Sequence, residues 1–173
     1  MKIYMFFFVV LFSFLNSSFV FSDGLNTAVA DLDRALRISN YSLKQYKLLQ
    51  ADENYKALIE KINFVRDEIE GIKKSGETKS LTWSESQKQE HLQKGKAKVA
   101  EINNLASQEL NVRRQLDSSI QQELTPQIEK IVNEIIEEKS IGLLLKAQAV
   151  HFYTPTFDIT EEIVKRLNAA EQK

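Results

Sequence analysis

Leu48, Ala51, Tyr55, Leu58, Ile62, Val65, Ile69 and Ile72 recur along the chain at alternating intervals of three and four. A 3.5-residue repeat is the seam of a left-handed coiled coil, not the broader face of an ordinary surface helix. The repeat stops in the polar stretch Lys73 to Ser80, and from about Ser84 a second helical pattern places Leu92, Val99, Ile102 and Ala106 in seam positions. Two such helices across a short turn predict an αα-hairpin. Arms of about 35 residues would reach roughly 50 Å at 1.5 Å per residue, so the hairpin must project from any body it belongs to. Glu109 and Arg113 fall where the second seam asks for apolar residues, and Leu116 and Ile120 restore the repeat before Thr125-Pro126 interrupts it. Proline inside a helix removes a donor and crowds the preceding turn, which predicts a kink or restart at Thr125. Bending of the arms is expected at Glu109, Arg113 and Pro126, where packing is poorest.

Outside the hairpin the patterning is shorter. Thr27 to Asp33 reads as a strand followed by a helical turn, Arg34 to Ile38, and Asn40 to Ser42 offers a cap for the first arm. Beyond the apolar face of Ile128, Ile131, Val132, Ile135 and Ile136, the runs Leu143 to Gln148 and Ala149 to Thr154 look like two strands joined as a hairpin. Asp158-Ile159-Thr160-Glu161 has the form of a capping box and opens a closing helix, Ile159 to Ala170. The expected architecture is mainly α with a small β body, the sheet being formed by strands from both ends of the chain. Three short strands and one helix bury too little to be stable alone, which favours a closed symmetric oligomer.

Composition narrows the function. The formal charge of −1 and the absence of a clustered basic face argue against nucleic acid as a partner. With no cysteine, disulfides, thiolate metal sites and cysteine nucleophiles are all excluded. Met1-Lys2, the apolar run Ile3 to Leu15 and Val20-Phe21-Ser22 before Asp23 fit a secretory signal cleaved after Ser22. An uncleaved membrane anchor is the alternative, since Ile3 to Phe21 approaches the length needed to span a bilayer.

Catalytic chemistry finds no constellation. His91 and His151 stand far apart in sequence with no ligand spacing, and the five glycines are scattered rather than gathered in a phosphate loop. No cofactor and no metal are expected. Binding remains, and four side chains are candidates for it: Trp83 at the hairpin tip, and Leu49, Ile59 and Phe64 beside the seam, where they could form a second apolar edge. Trp83 has the alternative of packing locally on Ile72 and Leu81.

The two ends of the chain resemble the Skp/OmpH family of periplasmic chaperones for outer-membrane proteins. The resemblance is carried by Ala28-Val29-Ala30-Asp31-Leu32-Asp33-Arg34-Ala35-Leu36 in front and by Gly142-Leu143-Leu144-Leu145 and Phe157-Asp158-Ile159-Thr160-Glu161-Glu162 through Asn168 behind. It implies a homotrimer with a jellyfish outline. Residues 23–40 and 141–173 would form the trimerisation body, and residues 41–140 an arm with its tip near 73–84, following a signal at 1–22. The body would be held by Val29, Leu143, Leu145, Val150, Phe152, Ile159, Ile163 and Leu167. The resemblance further implies a periplasmic holdase without ATP or enzymatic activity. Its partners would be unfolded outer-membrane β-barrel proteins, further copies of itself and the outer-membrane assembly machinery. A coiled-coil scaffold anchored in the envelope and binding one folded partner is the competing reading. Family members are often strongly basic, whereas removal of Lys2 leaves this chain at 22 minus 24, or −2, so weak or no lipid binding is expected. Charge is nonetheless polarised. Gly71 to Lys98 carries seven basic residues against three acidic ones, and Val99 to Ser140 four against eight.

Overall fold

A computed structural model describes residues 26–170, so the expected signal segment lies outside the described residues. Strand β1 (Asn26–Ala30) leads into three helices, α1 (Leu32–Ile38), α2 (Asn40–Ala51) and α3 (Glu53–Lys79). A 3₁₀ turn, Ser80–Thr82, reverses the chain into α4 (Glu85–Glu138), which returns to strand β2 (Ile141–Lys146). Helix α5 (Thr160–Ala170) closes the fold after two further 3₁₀ turns.

β1 and β2 pair in parallel, with Val29 opposite Leu145, because the chain leaves β1 upward through three helices and comes back down α4. The reversal out of α4 is made at Ser140, whose φ of 51° is the left-handed conformation that commonly ends a helix. The strands from the two chain ends do meet, as expected, but the sheet is two-stranded. Residues 147–154 form a 3₁₀ turn and irregular backbone rather than a third strand, so Val150 and Phe152 are not sheet residues. Their apolar, β-prone composition resembles a strand, yet among the described residues no strand lies beside them to complete the backbone hydrogen bonds a strand requires.

The body core is built from Ala28, Ala30, Ala35, the α4 face Ile120, Leu124, Ile128, Ile131, Val132 and Ile135, and Ile159, Ile163, Val164 and Leu167 of the closing segment. That α4 face brackets Pro126. An interior proline costs about 3 kcal/mol of helix stability, yet α4 runs through Pro126 without a restart. Burial of Ile120, Leu124 and Ile128 on both sides holds the two halves in line, since each buried aliphatic side chain contributes ~1.5–3 kcal/mol.

The back-end motif stitches the two chain ends together. Ile159 N donates to Val29 O at 2.9 Å, and Asp31 N donates to the Thr160 hydroxyl, also at 2.9 Å. Asn168 accepts from Asn40 N at 2.8 Å. The expected capping box is only half made. Asp158 does accept from Thr160 N at 2.8 Å, but Glu161 pairs instead with Arg34 at 2.5 Å.

Arg166 closes the other side, forking onto both carboxylate oxygens of Glu138 at 2.8 and 2.6 Å and reaching Glu162 at 2.6 Å. The Arg166 hydrogen bond holds the Glu138 carboxyl below its ordinary value, and Lys139, then Arg166, do the same for Glu162. Because both groups titrate lower in the folded than in the unfolded chain, their stabilisation is complete above the ordinary carboxylate range and disappears as pH falls through the folded values. The melting temperature followed by circular dichroism should therefore fall as pH drops through and below the ordinary carboxylate range, and fall less in Arg166→Met, whose Glu138 has lost its partner.

Candidate functional site

Helices α3 and α4 lie antiparallel, and the contacts along them define the register: Tyr55 with Glu109, Glu68 with Lys98, Ile72 with Gly95, and Trp83 with His91. On α3 the seam is the expected one from Tyr55 to Ile72, with Ile62 and Val65 buried. It does not extend back to Leu48 and Ala51, which are exposed. The helix breaks at Asp52, whose extended backbone (φ −66°, ψ 129°) and carboxylate cap α3 by accepting from Tyr55 N at 2.9 Å.

On α4, of the four apolar residues the repeat selects, only Ile102 faces α3. Leu105 is buried at the centre, flanked at seam spacing by His91, Gly95, Lys98, Ile102, Glu109 and Val112, all half-buried. Each polar member is matched across the seam. Lys98 lies 2.8 Å from Glu68 and 2.9 Å from Glu101. Glu109 accepts from the Tyr55 hydroxyl at 2.9 Å, and burial together with that carboxylate raises the phenol above its ordinary value. Gly95 lets the α4 backbone approach Ile72. The expected seam residues Leu92, Val99 and Ala106 stand one position away and are exposed, leaving apolar side chains on the outside of the pair.

At the tip, Trp83 packs its ring 4.4 Å from that of His91, tilted by 50°. His91 is seated there because Gly76 has no side chain, a Cβ at that position falling 3.0 Å from the imidazole. Trp83 thus packs locally, but on His91. Leu81, an expected partner, is fully exposed.

The four expected binding side chains are not brought together. Phe64 projects from α3 at 63% exposure, Ile59 packs on the cluster of Ile62, Val65 and Leu105, and Trp83 sits at the tip. Leu49 lines a cleft with Arg37, Tyr46, Tyr55 and Arg113 where α2 meets α3. The expected body residues divide in two. Val29, Ile159, Ile163 and Leu167 are buried within the protomer. Leu143 and Phe152 are exposed, and Leu145 and Val150 half-buried. The residues missed were Leu92, Val99 and Leu110, exposed apolar positions on the outer side of α4.

Residues 26–167 match the model of a family described as outer membrane protein (OmpH-like). Among solved structures, the chain is similar to a crystal structure from Caulobacter crescentus CB15 of an OmpH-like protein assigned as an outer membrane chaperone. The likeness covers 84% of this chain and 85% of that one, at 14% identity and a TM-score of 0.50. That likeness bears on the fold. No curated protein matches. Among the described residues, no helix is long and apolar enough to cross a membrane.

Proposed function

This chain belongs to the OmpH-like outer membrane protein family, and from that membership we propose that it is a periplasmic chaperone holding unfolded outer-membrane proteins without ATP. The observation that carries the reading is the separation of two clusters. A closed body core at one end leaves an arm whose own seam is thin and whose outer positions Phe64, Leu92, Val99 and Leu110 remain exposed and apolar. A soluble protein leaves such surface bare chiefly where something binds it.

Three chains joined at their bodies would enclose a space between the arms. Support for that assembly comes from Leu143 and Phe152, exposed beside a sheet only two strands wide, too small to be stable by itself. The division between arm and body falls inside α4, between Val112 and Ile120, because the second half of that helix belongs to the body core.

Aggregation of a urea-unfolded outer-membrane β-barrel, followed by light scattering, tests the proposal. Full suppression at a stoichiometric amount of trimer is expected. A scaffold for a folded partner would give none, and that result would remove the chaperone reading.

A further inference from the structure

The helical pair has two long edges, and they are chemically unlike. On one, Lys98 lies between Glu68 and Glu101, so the charges there are paired. On the other, Ile72, His91, Leu92, Gly95 and Val99 line an open depression of about 540 Å³ with Lys96 on its rim. Gly95 forms part of its floor, and an added Cβ there would sit in ordinary contact with Ile72, 3.7 Å from its Cγ2. Leu92 is 51% and Val99 46% exposed, and no carboxylate lines the depression.

The apolar surface continues up α4 as a line. Residues 7, 11 and 18 apart on an α-helix fall within about 20° of one another, and Leu92, Val99 and Leu110 have those separations. Leu110 is 45% exposed. The stripe is therefore about 27 Å long at 1.5 Å per residue, the span of roughly eight residues of extended chain. A compact ligand would fill one end only. Lys96 lies beside the stripe with no carboxylate partner among the described residues, and it favours an anion on whatever lies there.

We propose that the Leu92, Val99 and Leu110 stripe receives an extended apolar segment of an unfolded polypeptide that carries an acidic side chain opposite Lys96. The inference rests on the chaperone reading and specifies which edge of the arm is used and which segments it selects.

The test uses the full chain and two tryptophan-free peptides of alternating leucine and serine, one with glutamate at both ends and one with lysine. Trp83 is the only tryptophan, and its ring touches His91, which lines the depression, so its emission reports occupancy. The glutamate-ended peptide should bind about tenfold tighter, and Lys96→Glu should reverse the order. Val99→Asp should weaken the glutamate-ended peptide by about tenfold or more, with Gln93→Asp on the outer face of α4 as the unchanged control. Val99 is exposed, so the variant should keep its helix content. Unchanged affinity in Val99→Asp would overturn the proposal. So would a fall in oligomer mass for that variant by sedimentation, since the stripe would then be covered by another copy of the chain. Peptide binding through Val99 by a chain that fails to suppress aggregation would keep this inference and remove the chaperone reading. Suppression that survives Val99→Asp, with peptide affinity unchanged, would do the reverse.

Discussion

Excising Asn54 to Val112 and rejoining the cut helices through a short turn should leave a folded, associated protein that no longer protects any client. The expectation follows from how the two clusters divide the chain. Every residue of the body core, from Ala28 to Leu167, lies outside the excised segment, as do Leu116, Tyr41 and Tyr46, which pack against it. Every residue of the arm cluster, from Leu58 to Leu105, lies inside. The cut is geometrically reasonable because Tyr55 and Glu109 face one another, so the ends at Glu53 and Arg113 are nearly opposed. The hydrogen bond from Tyr46 to Asp117 still joins α2 to α4 below the cut. Thermal melting should stay close to that of the full-length protein and light scattering should give the same number of chains per particle, while aggregation of the unfolded β-barrel should proceed as if nothing had been added. A shortened chain that is monomeric by light scattering would place association in the arms and contradict the argument.

The arm was half legible in the sequence, and the physical reason lies in what occupies its seam. On α3 the inward positions are Tyr55, Leu58, Ile62, Val65, Ile69 and Ile72, so hydrophobicity and location coincide. On α4 they include His91, Gly95, Lys98 and Glu109, each tolerated because one particular residue on or beside α3 satisfies it. A polar group loses little on partial burial when its partner is fixed in place, but the partners of Lys98 and Glu109 are 30 and 54 residues away in sequence. Periodicity therefore selects the neighbouring apolar register, Leu92, Val99 and Ala106, which faces outward. The break at Asp52 was hidden for a related reason. An aspartate followed by Glu53 is a helix-start signal, but it sits inside an apolar repeat that continues on both sides of it.

The same break adds a second place where bending of the arm is expected. Pro126 is bracketed by buried body residues, and Glu109 is tied to Tyr55, so neither is the weak point that composition alone suggests. Asp52 interrupts the backbone hydrogen-bond ladder of one helix of the pair, with exposed Leu48 and Ala51 before it and an uninterrupted α4 opposite. Bending is cheapest where only one of two helices carries the load.

Two variants of the body separate folding of the protomer from its association. Ile163 is fully buried against α1 and α4, so Ile163→Ala removes apolar contacts and leaves a cavity, at an expected cost of ~2–5 kcal/mol. For a single domain with total stability on the order of 5–15 kcal/mol, that variant should melt far earlier or fail to accumulate. Leu143 and Phe152, by contrast, are 48% and 79% exposed in the protomer, so placing aspartate at both disturbs nothing the single chain has packed. If those side chains meet their counterparts in the proposed trimer, Leu143→Asp with Phe152→Asp buries like charges around a shared axis, which costs several kcal/mol. The double variant should keep its helical circular dichroism, sediment at the mass of one chain, and melt at a temperature that no longer rises with protein concentration. It should also lose client protection, because arms on separate bodies enclose nothing and cannot act on one client together. A double variant that keeps the mass of the parent would show that the exposed face of β2 and the segment after it are not where the chains meet.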